Sequence, residues 1–146
     1  MEKIDVLVKV ADNANIDLIM SELKEYVNDI DLDFVRKSVR AIGMVAMKVE
    51  RCAKRAVEIL QELVKQEGAD TALQEAIVVA SDIFRKYPGK YNILIKDLCS
   101  QIKRIDDPEA KASMIWVLGE YADIIDEVEK MIAYFTESFN DESIKV

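Results

Sequence analysis

Apolar residues recur at spacings of three and four along almost the whole chain. Ile16, Met20, Leu23, Val27 and Ile30 form one stripe, and Leu32, Val35, Val39, Ile42, Ala46 and Val49 form the next. Ala53, Val57, Leu60 and Val64 follow, then Leu73, Ile77, Ala80, Phe84 and Tyr87. Three more stripes run through Tyr91, Leu94, Leu98, Ile102 and Ile105, through Ala110, Met114, Val117 and Tyr121, and through Val128, Ile132, Phe135 and Phe139. This is the period of a helix with one buried face, and no segment alternates with period two. The breaks carry helix punctuation. Asp107-Pro108 reads as an N-cap followed by proline at the first helical position. Thr71 with Gln74 fits a capping box, and Tyr87-Pro88-Gly89 reads as a stop. Connections of a few residues make successive helices antiparallel.

The helices also repeat in pairs. Asp33, Asp70 and Asp107 stand 37 residues apart near the starts of longer helices, with Asp141 following after 34, while Gly43, Ser81 and Gly119 recur at 38 inside those helices. Glycine inside a helix costs ~1 kcal/mol relative to alanine. Two at one repeat position therefore point to close helix–helix approach, and Gly43→Leu or Gly119→Leu is expected to overpack that contact. A two-helix unit of this length lies just under the ~40–47 residues of armadillo and HEAT repeats. The expected fold is all-α: a right-handed α-α superhelix of about four helical hairpins, a HEAT- or armadillo-like solenoid. An ordinary helical bundle with coincident spacings is the alternative. Ile4 to Ala11 reads as the tail of a helix lacking its partner, and Asn140-Asp141-Glu142 as the opening of another unit. Residues 1–146 are thus expected to be one solenoid segment cut from a longer array at both ends.

Composition narrows the chemistry. The 146 residues hold 28 acidic and 20 basic side chains, a net charge of −8, and no histidine. Four glycines and two prolines are few against a background near ~12% for the pair, so loops must be short. Without histidine the usual general base, the His-paired Ser and Cys nucleophiles and most transition-metal sites are missing. An acidic chain is also a poor ligand for nucleic acid, whose binding rests on phosphate neutralisation. Cys52 and Cys99 each fall on an apolar stripe and read as buried thiols of a reduced, intracellular protein. The longest uncharged run, Ala112 to Gly119, is far short of the ~20 residues of a membrane span. Glu2 and Asp5 spoil a signal-peptide n-region.

Candidate chemistry is thin. Glu120 with Asp123, and Asp126 with Glu127 and Glu129, could in principle pair as acids, but they read as solvated helix-end carboxylates. The segment Asp123 to Glu129 lacks the central glycine of an EF-hand, and the isolated Gly43, Gly68, Gly89 and Gly119 make no phosphate loop. Trp116, beside Met114 and Ile115, reads as core. Arg36, Lys37 and Arg40, then Arg51, Lys54 and Arg55, then Arg85, Lys86 and Lys90 form three basic clusters. Stacked repeats could align these into one strip for an acidic partner or lipid headgroups. No catalytic, cofactor-binding or metal residue is assigned, no cofactor is expected, and an enzyme is not.

Phe34-Val35-Arg36-Lys37-Ser38-Val39-Arg40-Ala41-Ile42-Gly43 resembles a stretch of the beta-adaptins, the large beta subunits of clathrin adaptor complexes. So do Gln74-Glu75-Ala76-Ile77-Val78-Val79 followed by Asp82-Ile83-Phe84-Arg85-Lys86-Tyr87-Pro88, and Met114-Ile115-Trp116-Val117-Leu118-Gly119-Glu120-Tyr121-Ala122, in the family's order. Leu23-Lys24-Glu25-Tyr26 and Asp141-Glu142-Ser143 also fit. The resemblance implies a segment of the adaptin trunk, a solenoid scaffold that holds sister adaptor subunits in vesicle-mediated intracellular transport. It implies clathrin contact only through parts outside this chain, and peripheral placement on the cytosolic face of Golgi, endosomal or plasma-membrane coated vesicles. The alternative is a HEAT-repeat module engaging acidic lipid headgroups or a small GTPase, or the scaffold of another intracellular complex.

Overall fold

The computed structural model describes residues 2–137, and among these every regular element is helical. The helices are α1 (Glu2–Val10), α2 (Ile16–Tyr26), α3 (Leu32–Lys48), α4 (Ala53–Lys65), α5 (Asp70–Lys86), α6 (Ile93–Ser100), α7 (Pro108–Glu120) and α8 (Val128–Thr136), with short 3-10 turns at Glu50–Cys52, Ile102–Arg104 and Ala122–Ile124. The hairpins stack so that α1, α3, α5 and α7 form one layer and α2, α4 and α6 the other. Between the layers runs one continuous apolar core, including Ile4, Met20, Leu23, Ile42, Leu60, Leu73, Ile77, Phe84, Leu94, Leu98 and Met114. This is a helical-hairpin solenoid, as the stripes required.

Helices α3 and α5 share the most extensive helix–helix contact, whereas α2 and α4 meet over far fewer residues. The layer of α1, α3, α5 and α7 is termed the inner layer and that of α2, α4 and α6 the outer. Gly43 permits a close approach: a Cβ there would sit 2.5 Å from Val79 Cγ1 on α5. The equivalent Ser81 is buried. Gly119 departs from the expectation. It is exposed at the end of α7, and among the described residues nothing lies within 4 Å of a Cβ built on it.

Helix starts are mixed. Asp31 accepts from the amides of Asp33 and Phe34, and Asp107 Oδ2 accepts from Ala110 N at 2.9 Å, with Pro108 following. The capping box at Thr71 and Gln74 does not form. Helix α5 starts after Ala69 without a side-chain cap, because Gln74 is used elsewhere: its amide donates to Arg104 O at 2.8 Å and its carbonyl accepts from Asp107 N at 3.3 Å. The stop at Tyr87 holds, with Gly89 at φ +75°.

Several stripes are shorter or less buried than the periodicity implied. Ile30 lies in the turn before α3 and is 97% exposed, and Leu32 is also exposed. The stripe from Tyr91 to Ile105 is not one helix. Helix α6 ends at Ser100, and the chain tightens so that Arg104 turns back to cap α4, donating to Val64 O (3.4 Å) and Gln66 O (3.1 Å) and to Asp70 Oδ1 (2.7 Å). In the last stripe Phe135 is buried while Ile132 is exposed. Phe139, the helix opening at Asn140-Asp141-Glu142 and the Asp141-Glu142-Ser143 match lie outside the described residues.

Candidate interaction surface

The solvent face of the inner layer carries both a polar groove and an apolar, cationic patch. At the N-terminal ends of α3, α5 and α7, a groove of about 420 Å³ is lined by Arg36, Arg40, Gln74, Glu75, Asp107 and Glu109. Arg40 binds Glu75 in a two-pronged pair, Nε to Oε2 at 2.8 Å and Nη2 to Oε1 at 3.1 Å. The Glu75 carboxylate, with Asp107 and Glu109 farther off, holds the guanidinium pKa above its ordinary value. Toward the other end of the same layer the surface becomes apolar and cationic. Met44 and Met47 on α3 are exposed. Across the α5–α7 junction the Arg85 guanidinium lies over the Trp116 ring, 4.4 Å from its centroid. Trp116 in turn meets Tyr121 edge-on, and Tyr121 meets the core ring of Phe84. Trp116 is therefore half-buried, not the core residue its neighbours implied, and Arg85 covers part of what remains.

The three basic clusters do not align into one strip. Arg36, Lys37 and Arg40 lie on α3 and Arg85 and Lys86 on α5, in the inner layer, whereas Arg51 precedes and Lys54 and Arg55 begin α4, in the outer one. Most of these cations also meet carboxylates of the chain itself, several of them one hairpin away. Lys37 binds Asp5 at 2.7 Å, Arg51 binds Asp17 at 2.9 Å, and Lys90 binds Glu50 at 2.8 Å. Lys37 lowers the pKa of Asp5, and Lys90 that of Glu50, through hydrogen-bonded pairing.

The carboxylates considered as acid pairs lie at and beyond the end of α7. Glu120, Asp123, Asp126, Glu127 and Glu129 are exposed, and Glu127 pairs with Lys130 at 2.6 Å. Among the described residues no group of three or more metal-ligating side chains converges. Cys52 and Cys99 are free and buried, and burial raises both thiol pKa values. Sequence reasoning missed Glu75, Arg104 and the Arg85–Trp116 stack. The first two bridge partners 30 to 40 residues away, a separation one repeat long that the 37-residue spacing could have flagged.

A family model described as the adaptin N terminal region matches residues 1–146. The chain belongs to that family. Among curated relatives, the human AP-1 complex subunit beta-1 is 49% identical over 146 residues, all of this chain and 15% of the relative. The Dictyostelium discoideum AP-1 complex subunit beta is 46% identical over the same span. The Schizosaccharomyces pombe AP-2 complex subunit beta is 39% identical over 142 residues, which is 97% of this chain and 21% of the relative. The chain thus spans about a seventh to a fifth of the length of these relatives. All three are named as beta subunits, in agreement with the beta-adaptin motif blocks around Arg36, Ile77 and Trp116. No described helix of this adaptin-family chain is long and apolar enough to cross a membrane.

Proposed function

We propose that this chain is a non-catalytic scaffold segment of an adaptor-complex beta subunit, and that its inner face holds sister subunits of the complex. The observation that carries the reading is the identity with AP-1 and AP-2 beta subunits across the whole chain. The character of the inner face supports it: Trp, Arg and Met are enriched where proteins bind one another, and a Trp flanked by a stacked Arg has the make-up of a binding hot spot. The reading of residues 1–146 as one unit within a longer trunk belongs to the same proposal, supported by the greater length of the relatives. So does peripheral placement on the cytosolic face of coated membranes, which an assembled complex would bring about without a membrane span in this segment. The lipid or GTPase alternative rested on an aligned basic strip, and the clusters that would form it lie on different layers.

The test is co-expression of the chain with the remaining subunits of an AP-1 complex, followed by affinity capture. Binding that falls about 30-fold or more in Arg85→Ala with Trp116→Ala, as loss of a hot spot implies, is the expected result, with the helical signal and melting point of the variant retained. Absence of capture, or capture indifferent to the double substitution, would overturn the inner-face reading.

A further inference from the structure

The two layers are joined from hairpin to hairpin with a different balance of forces, the inner one carrying the Lys37–Asp5 and Arg40–Glu75 pairs as well as close packing. In the inner layer, α3 and α5 meet at Gly43, with Val79 of α5 so near that no Cβ fits at position 43. Separating such surfaces forfeits dispersion contacts at once, because a gap of under an ångström already loses a quarter to a half of the well. In the outer layer α2 and α4 meet over fewer residues than α3 and α5 do, and long charged side chains span the outer junctions. Lys24 reaches Glu62 at 2.8 Å. Asp17 gathers both Arg51 at 2.9 Å and Arg55 at 3.7 Å, and Arg55 also donates to Ser21 Oγ at 2.8 Å. Between α4 and α6, Asp97 takes Lys65 at 3.6 Å and the Gln61 amide at 2.6 Å.

We infer that the outer-layer ion pairs act as extensible clips that set how far the stack bends, with the close-packed inner layer as the hinge. Side chains of this length can follow a widening gap by changing rotamer, and an exposed pair is worth only ~0.2–1 kcal/mol, so stretching it costs little. The junction between α2 and α4 is the softer of the two. Its charged groups are largely exposed, Asp17 at 71% and Glu62 at 62% of the side chain, whereas Asp97 at the next junction is exposed by only 20%. The inference rests on the packing of the hairpins and stands apart from the proposed adaptor role.

It is tested on the full 146-residue chain with paired nitroxide labels and pulsed electron resonance. One pair reports the outer junction, Leu18→Cys with Glu58→Cys. The other reports the inner one, Met44→Cys with Lys86→Cys. Cys52 and Cys99 stay in place. Raising salt from ~0.1 M to ~1 M shortens the screening length from ~10 to ~3 Å. The expected result is a longer and broader outer distance with an unmoved inner distance, reproduced at low salt by Asp17→Asn, while the helical circular dichroism is unchanged. An outer distance indifferent to both salt and Asp17→Asn, or an inner distance that moves as far as the outer, overturns the inference.

Discussion

The methyl group that Gly43 lacks would collide with a β-branched neighbour. Val79 has one strongly preferred χ1 in a helix and cannot swing its Cγ1 away cheaply, so Gly43→Ala is expected to cost ~1–3 kcal/mol despite alanine's better helix propensity. Urea denaturation would show it, and Val79→Ala in the same chain should return much of the loss, giving a coupling energy between the two sites. Gly119→Ala, with nothing near its Cβ among the described residues, should be neutral or mildly stabilising. The contrast marks what single residues disclose. Both glycines sit at one repeat position, and the sequence presents them alike. Only the surroundings decide: the neighbour of Gly43 lies a hairpin away, and among the described residues Gly119 has none within 4 Å of a Cβ built on it.

At the scale of elements, starts and stops were legible where a residue acts on its own backbone. Asp107-Pro108 and Tyr87-Pro88-Gly89 do so, and both stand where expected. Thr71 and Gln74 matched a capping pattern equally well, yet Gln74 is engaged by the next hairpin's Arg104 and Asp107. A local motif and a long-range hydrogen bond compete for one side chain, and the pattern cannot show which wins. The same competition shortens α6, whose expected continuation is taken up by the turn that brings Arg104 back to α4. Two substitutions separate the cases. Asp107→Ala should cost ~0.5–2 kcal/mol through loss of the cap, while Thr71→Ala should change the urea midpoint far less. Equal losses would show that Thr71 does cap α5.

Across the whole molecule, periodicity sufficed to find the two-layered stack, because helical stripes alone specify which face is buried. It could not tell that the basic clusters would be divided between layers and met by carboxylates. Those pairings depend on how neighbouring repeats are offset. They also set the response to acid. Asp5 and Glu50 are held below their ordinary pKa by Lys37 and Lys90, and Glu22 by the Tyr26 hydroxyl and then Lys3. A carboxylate lowered in the folded state adds stability that is complete above its unfolded pKa, ~3.9 for Asp and ~4.3 for Glu, and that is lost as pH falls through the folded value. With no histidine to titrate between pH 5 and 8, the urea midpoint should be flat from about pH 7 to 5 and decline below ~4.3. A midpoint still level at about pH 3 would mean that these pairs contribute nothing to folding.

The stacking of Arg85 on Trp116 has an optical consequence. The chain has a single tryptophan, and it is half-buried beneath a cation on the inner face. Its emission therefore comes from one place and is sensitive to the charge above the ring. Whatever settles on that face and displaces water or the guanidinium would change the colour and yield of the fluorescence, so the native chain carries its own label-free indicator of occupancy.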